Sequence, residues 1–382
     1  MSIDSRRIAV SLCAIAAFLH LYAPQAVLPM MAQELGVGAA SAGMLITVST
    51  LAVAATAPFT GAVADVLGRK RVICAAILLL LIPSVMVAMA ESFEALVFWR
   101  FVQGLLFPPI FAVAIAYIGD EWPANEATGV VGLFASASAV GGFLARFIPG
   151  MMAAYVGWRG GFLTLAVMTA VCFLLILWLL PREKQFVRAT DLGASLRQMV
   201  EHVRNPKLIA IYAVGFGVLF NFIGTFTYLS FHLAAPPFNK SAGFLGSIFL
   251  VYLVGSAASL WTGSMVSWLG RRRFMLWVLA AWMAGLLLTL TPSIPLIVLG
   301  LTVFSICGVF AQATSTSYVA ITAQGGTSSA VGLYVTAFYI GGTFGGWLTG
   351  LAYEAGGWPA TCALIMGMMA IMAVTVATAW KR

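Results

Sequence analysis

The sequence predicts an all-α integral membrane protein, with twelve transmembrane helices in two six-helix bundles related by a pseudo-two-fold axis along the membrane normal. Three observations carry that prediction. Of 382 residues, 8% are charged and 62% apolar, with a mean hydropathy of +1.02. A soluble domain carries about 25% charge, and so few charges cannot cover a surface in water. Twelve apolar runs are each of the length that crosses the hydrocarbon core, about 20 helical residues. The chain also repeats itself at an offset of 200 to 202 residues. These features exclude a soluble enzyme, a nucleic-acid-binding protein and a disordered scaffold.

In chain order the spans read 8–30, 41–62, 72–91, 95–118, 127–150 and 160–180, then 207–232, 241–265, 274–291, 295–318, 328–350 and 359–380. Arg6 and Arg7 ahead of the apolar run from Ile8 imitate a signal peptide. The run outlasts the apolar core of one, about 7–15 residues, so it is a first span. A polar stretch from Pro181 to Pro206 divides the chain into an N-terminal bundle (1–180), a cytoplasmic linker (181–206) and a C-terminal bundle (207–382). In the linker, Leu192, Leu196, Met199, Val200 and Val203 recur at helical spacing after the capping residues Thr190 and Asp191. Arg197, Glu201 and Arg204 take the opposite face, which describes an amphipathic helix on the membrane surface.

Basic residues orient the chain. With both termini cytoplasmic, sixteen of the 20 Lys and Arg fall on the inner side, and only Arg159 and Lys240 fall outside. The expected location is the plasma membrane, as a bacterial inner-membrane protein. Topology therefore accounts for the net charge of +8 without nucleic acid. The five cysteines lie in apolar stretches, with no CxxC pair. They read as buried small hydrophobes, and neither a metal nor a cofactor is implied.

The repeat is specific. Gly61-Ala-Val-Ala-Asp65-Val-Leu-Gly68-Arg69-Lys70-Arg71 recurs as Gly263-Ser-Met-Val-Ser267-Trp-Leu-Gly270-Arg271-Arg272-Arg273. Gly132, Gly141, Gly142, Gly150, Gly157 and Trp158 recur as Gly332, Gly341, Gly342, Gly350, Gly357 and Trp358. An even number of spans per half keeps both repeats in one orientation, and two such bundles enclosing a midplane cleft are the architecture of a secondary transporter.

On four motifs the chain resembles the major facilitator superfamily over its whole length. Gly61-x-x-x-Asp65-x-x-Gly68-Arg69-Lys70-Arg71 matches the loop 2–3 motif. Tyr22-Ala-Pro24-Gln25-Ala-Val-Leu-Pro29 resembles the end of the first helix in the drug:proton antiporters, and Arg100-Phe-Val-Gln103-Gly104 matches their fourth-helix motif. Gly141-Gly142-Phe-Leu-Ala-Arg146 with Gly150 resembles their fifth-helix glycine motif, from which Arg146 and Pro149 depart. The resemblance implies alternating access, efflux by antiport against protons, and a conformational and coupling role for Arg100 with Gln103.

Candidate site residues follow. Gly61 permits close packing, Gly68 suits a tight turn, and Asp65 is placed to face a helix N-terminus or an arginine. Asp65, Arg69 and Glu121 are expected to form a gating latch between the halves, as the resemblance also implies; the alternative is that the basic run only sets topology. On the seventh span Asn221, Thr225, Tyr228 and His232 form a polar stripe, which must face protein or a water-filled cavity. Gln25 maps onto Thr225 under the repeat. Gln312 lies on a weaker stripe with Ser305, Gly308 and Ser315, and Phe107 supplies apolar wall. Interhelical hydrogen bonding is the alternative for these stripes.

Arg100 and Arg146 lie 23 residues before and after Pro123, which puts them at one depth on antiparallel helices. An arginine at a span centre costs about 2.5–3.5 kcal/mol on insertion scales. Arg146 maps onto Gly346, so the architecture does not demand it. It reads as a ligand for an anionic group through charge-assisted hydrogen bonds, or as a side chain bonding helix carbonyls or reaching the surface. His20 is the histidine near the midplane and a candidate for proton coupling, against a satisfied core residue. The expected function is a monomeric exporter of a small anionic or zwitterionic organic substrate, in exchange for protons or a counter-anion. A proton-coupled uptake symporter of a small organic anion is the alternative, and a non-transporting membrane receptor a minor one. No enzyme motif is present.

Overall fold

The computed structural model describes residues 4–183, 201–323 and 327–380, and every regular element among them is helical. The helix α1 (Ser5–Leu21) begins where the Asp4 carboxylate accepts the Arg6 amide at 3.0 Å. It stops at Tyr22 because Pro24 and Pro29 offer no amide to continue it. The first span is therefore α1, a 3-10 turn (Ala23–Ala26) and α2 (Leu28–Leu35), rather than one run over 8–30. Then follow α3 (Ala39–Leu67), α4 (Arg69–Met89), α5 (Phe93–Glu121) and α6 (Ala124–Leu179).

After the linker come α7 (Pro206–Ala234), α8 (Ala242–Ile248), α9 (Val251–Ala258), α10 (Thr262–Leu269), α11 (Arg271–Leu288), α12 (Ile294–Thr322) and α13 (Thr327–Ala379). The eighth span, expected to be continuous, is divided among α8, α9 and α10 with a 3-10 turn at Ser259–Trp261. Ser259 and Thr262 hydroxyls donate to the carbonyls three residues back, Ser256 and Ser259, at 2.6 and 2.8 Å. Such back-bonding tightens a helix locally. The amphipathic linker helix lies outside the described residues, apart from residues 201–204, which are helical.

Eight helical stretches among the described residues are long and apolar enough to cross a membrane. Two of these, α6 and α13, are double, bent at Val156–Gly157 and Gly356–Gly357. Adding the broken first span and the arginine-led α11 makes twelve. Gly157 and Gly357 have φ of 68° and 63°, a left-handed conformation that L side chains rarely adopt. The indoles that follow, Trp158 and Trp358, are both buried. The 200-residue repeat is thus a repeat of backbone conformation.

The chain forms two compact units. The first comprises Met1–Gly36, Val48–Thr190 and Lys240–Ser247; in it α1 packs along α6 and α5, and α4 lies against α5 and α6. The second comprises Val37–Thr47, Asp191–Asn239 and Ile248–Arg382, with α7 packed along α13, and α11 and α9 against α12. Equivalent glycines make equivalent crossings. A Cβ on Gly141 would lie 2.8 Å from Ile15 Cα, and one on Gly341 would overlap the Phe216 carbonyl. Small residues admit such approaches where lipid gives helices no hydrophobic reason to associate.

Gly61 corrects an expectation: it is exposed, and a Cβ there meets nothing within 4 Å. Close packing is supplied instead by Gly104, where a Cβ would overlap the Ser49 carbonyl and lie 2.7 Å from Ala52 Cβ. Gly104→Ala should lower unfolding stability by about 1–3 kcal/mol, while Gly61→Ala leaves it unchanged. Thermal unfolding midpoints of the two variants in one detergent check this; equal midpoints would refute the crossing at Gly104.

Candidate functional site

The first unit gathers its polar side chains at the break in the first span. Arg100 on α5 is fully buried. Its Nη1 donates to the His20 carbonyl and to Gln103 Oε1, each at 2.6 Å, and Nη2 donates to the Leu21 carbonyl. His20 and Leu21 are the last residues of α1, so their carbonyls have no amide one turn ahead. Arg100 caps that end with a charge of the sign the helix C-terminus favours. The Ser49 hydroxyl on α3 donates to the Arg100 carbonyl at 2.9 Å and joins a further helix to the cluster.

Gln103, one turn along α5, carries the network onward. Its Nε2 lies 3.4 Å from His20 Nδ1 and 3.2 Å from Ser84 Oγ on α4. His20 Nε2 is 2.7 Å from Thr169 Oγ1 on α6. The Ser84 and Thr169 hydroxyls donate to the Leu80 and Leu165 carbonyls at 2.6 and 2.9 Å. With that proton committed, Thr169 accepts from His20 Nε2, and His20 Nδ1 accepts from Gln103. That arrangement is the Nε2-protonated tautomer of the imidazole. Donors run one way, from Arg100 through Gln103 and His20 to Thr169 and Leu165. His20 is here a link between helices, with Ser84 Oγ also 3.3 Å from its Nδ1.

Arg146 reaches the same break from α6. It is 2% exposed. Nε donates to Gln25 Oε1 at 2.8 Å, Nη1 donates to the Gly142 carbonyl, and the guanidinium carbon lies 4.7 Å from the Tyr22 ring centre. A cation over a tyrosine face is stabilised by the ring quadrupole. Phe107 on α5 is edge-on to Phe18 at 5.1 Å and stacked on Phe111 at 5.3 Å. Arg146, Gln25 and the residues around Arg100 are thus drawn to one level, residues 20–25 of the first span.

The loop 2–3 residues assemble at the other end of the unit. Gly68, at φ 90°, caps α4. Arg69 pairs with Asp65 at 3.5 Å and with Asp120 at 2.6 Å. Asp120, rather than its neighbour Glu121, is the acid drawn to this arginine; the Glu121 carbonyl accepts from Arg6 at 3.5 Å. Asp65, Arg69 and Asp120 all belong to the first unit, so the triad fastens the α3–α4 turn to the end of α5.

In the second unit Asn221, Thr225 and Tyr228 are fully buried within the packing of α7. Tyr228 donates to the Gly346 carbonyl at 2.6 Å. Asn221 Nδ2 lies 3.4 Å from Met372 Sδ, while Asn221 Oδ1 and Thr225 Oγ1 have no hydrogen-bond partner. His232 stacks on Trp358 at 5.8 Å. Gln312 is exposed, and the Ser315 hydroxyl beside it meets Tyr334 Oη at 2.7 Å. The two stripes are not brought to one surface.

Sequence reasoning missed Ser84, Thr169 and Tyr22. The first two are single polar residues inside apolar runs of α4 and α6, the signal that singled out Asn221 and Thr225 on α7. Tyr22 was visible only as part of a motif.

The profile of the major facilitator superfamily matches residues 10–250. The chain is 28% identical over 372 residues to the inner membrane transport protein YnfM of Escherichia coli (strain K12), covering 96% of this chain and 88% of that protein. Among solved structures it is similar to the nucleoside transporter NupG, with a TM-score of 0.79 at 16% identity over 98% of this chain and 100% of the other. It is also similar to the human organic anion transporter MFSD10, with a TM-score of 0.72 at 17% identity over 97% and 99%.

Two outcomes are expected from this geometry. Arg100→Lys cannot span two carbonyls and an amide, and should lower stability by about 1–3 kcal/mol, the cost of leaving a buried acceptor unsatisfied; an unchanged midpoint of unfolding would refute the cap. Glu34, in the last turn of α2 and past the apolar run 8–30, accepts from Arg159 and, at 2.6 Å, from Trp158 Nε1. The Arg159 hydrogen bond chiefly holds its carboxyl below the ordinary 4.5, with partial burial opposing. A depressed folded-state value means the contact stabilises above about pH 4.5 and is lost as pH falls through the lower folded value. Glu34→Gln should therefore flatten the acid limb of the melting temperature between about pH 5 and 3, and an acid limb identical to that of the unsubstituted protein would show that Glu34 contributes nothing.

Proposed function

The chain belongs to the major facilitator superfamily, and from that premise we propose that it is a secondary active exporter of small organic anions or zwitterions, working by alternating access. The observation that carries the reading is the Arg146 cluster, a buried guanidinium on α6 backed by Gln25 and Tyr22 from the broken first span. An amide oxygen, a helix carbonyl and a ring face orient the planar fork while leaving it cationic. A carboxylate, sulfonate or phosphate of an organic solute offers such a fork charge-assisted, bidentate hydrogen bonds.

Repeat symmetry supports the same reading, since the position equivalent to Arg146 is Gly346 and the fold is built there without a cation. Nucleoside and organic anion transporters share this fold, and at 16 and 17% identity that likeness carries the fold alone. Arg100, Gln103 and His20 serve coupling by holding the broken end of α1 against α4, α5 and α6. Protons or a counter-anion move in exchange. Both termini are cytoplasmic in a bacterial inner membrane, and the working unit is a monomer of two six-helix bundles, 1–180 and 207–382, joined by the linker 181–206.

Flux into proteoliposomes tests the reading, with cationic, zwitterionic and anionic substrate panels and with or without a pH gradient. Arg146→Ala should reduce anion flux about 10- to 100-fold, the loss of a charge-assisted hydrogen bond. Arg146→Lys, which keeps the charge but not the fork, should fall between. Cation flux that Arg146→Ala leaves untouched, with no anion flux in the unsubstituted protein, would overturn the proposal.

A further inference from the structure

The basic run at the start of α4 borders a cavity that the Arg69 triad does not use. The cavity has a volume of about 490 Å³ and is lined by Lys70, Arg71 and Arg182, with Leu67, Cys74 and Leu177 among its apolar walls. Such a volume is within the range that holds small ligands. Leu67 is 55% exposed and Trp178, next to Leu177, 82% exposed, so the cavity opens beside apolar surface of the kind that faces lipid.

The one acid at the rim among the described residues, Glu183, is already engaged. Its Oε1 accepts the Arg69 amide at 2.9 Å and its Oε2 the Lys70 amide at 3.3 Å, which seats the carboxylate on the N-terminus of α4. Lys70 Nζ donates to the Leu177 carbonyl at 3.1 Å, which uses one of its three protons. The ion pairs among the described residues do not include Lys70, Arg71 or Arg182. Three cations therefore line one cavity whose single carboxylate, among the described residues, is already bonded to two backbone amides.

The equivalent turn in the second unit shows that this is not a by-product of the repeat. There Arg271 lies over the Tyr318 ring at 4.6 Å and Arg272 donates to the Ala377 carbonyl. Arg272 is thus taken up by a carbonyl of its own unit, whereas its equivalent Lys70, with Arg71, lines a cavity.

We propose that this cavity binds the phosphate of an anionic phospholipid, with Lys70, Arg71 and Arg182 on the headgroup and an acyl chain along the Leu67 and Leu177 side. Three cations in the lining select an anion, and the apolar flank selects one that carries a hydrocarbon tail. Basic pockets between transmembrane helices recognise lipid headgroups in this way. The proposal rests on the chain spanning a bilayer and not on the anion-export reading.

The test uses the full chain, delipidated in detergent and titrated with phosphatidylglycerol or phosphatidylcholine in mixed micelles. Retained lipid is counted by native mass spectrometry and stability is read as the melting temperature. Phosphatidylglycerol should be retained over phosphatidylcholine, and each charge removed should reduce retention about fivefold. Lys70→Gln with Arg182→Gln should lose it, while Arg273→Gln, a matched loss of charge at the equivalent turn, should not. Arg182→Gln alone serves if the double variant unfolds. A phosphatidylglycerol with a photoreactive acyl chain should label peptides spanning 66–74 and 177–183. Three results would overturn the proposal: equal retention in the pocket variant and the control, inorganic phosphate raising the melting temperature as much as the lipid, or label spread evenly along the apolar belt. Substrate flux enters none of these readouts, so the outcome is separate from that of Arg146.

Discussion

A carbonyl freed inside a membrane has no water to turn to, and the first span frees several when it stops at Tyr22 ahead of Pro24. Much of the first unit's polar chemistry is arranged around that break. Arg100 crosses from α5 to satisfy His20 and Leu21, and its own charge is oriented in turn by Gln103. Gln103 orients His20, and His20 ties in Thr169. The 3-10 turn that follows carries Gln25, the side chain against which Arg146 is set. A proline that interrupts one helix thus assigns positions to two arginines on two others.

The two units share a backbone plan and differ in what fills it. Both place a left-handed glycine at the bend before a buried indole, and both cap an arginine-led helix with a left-handed glycine, Gly68 and Gly270. The first unit then fills its centre with the hydrogen-bonded chain from Arg100 to Thr169. The second fills its own with rings: Phe222 packs on Phe226, Tyr252, Trp282 and Phe304 at 5.5–5.9 Å, and Trp282 packs on Phe304 at 5.2 Å. Ring packing is governed by shape and ring quadrupoles, whereas the contacts of the first unit's chain are directional hydrogen bonds.

Much of this was legible beforehand because membrane insertion imposes coarse rules on composition. Spans must be apolar for about 20 residues, and the glycines and basic turns of a duplicated half recur at a fixed offset. Span length and helix continuity are separate matters, however. The first and eighth spans read as continuous runs, and both are broken, one by proline and the other by serine and threonine bonding back to their own carbonyls. Polar residues inside spans announced that they needed partners without naming them. Arg100 and Arg146 were visible as buried cations; Ser84 and Thr169, one turn of helix from the nearest motif or further, were hidden in apolar runs.

The sequence by itself determined the fold class, the repeat and the identity of the two core arginines, since each of these follows from local composition or from spacing along the chain. Only the tertiary structure decided which partner each polar group meets. Asp120 rather than Glu121 faces Arg69, Gly104 rather than Gly61 makes a close crossing, and the stripe on α7 is enclosed by its own unit. The physical reason is that hydrogen bonds and steric overlap are settled within a few ångströms, and helix rotation, bends and breaks shift side chains by more than that while leaving hydropathy unchanged.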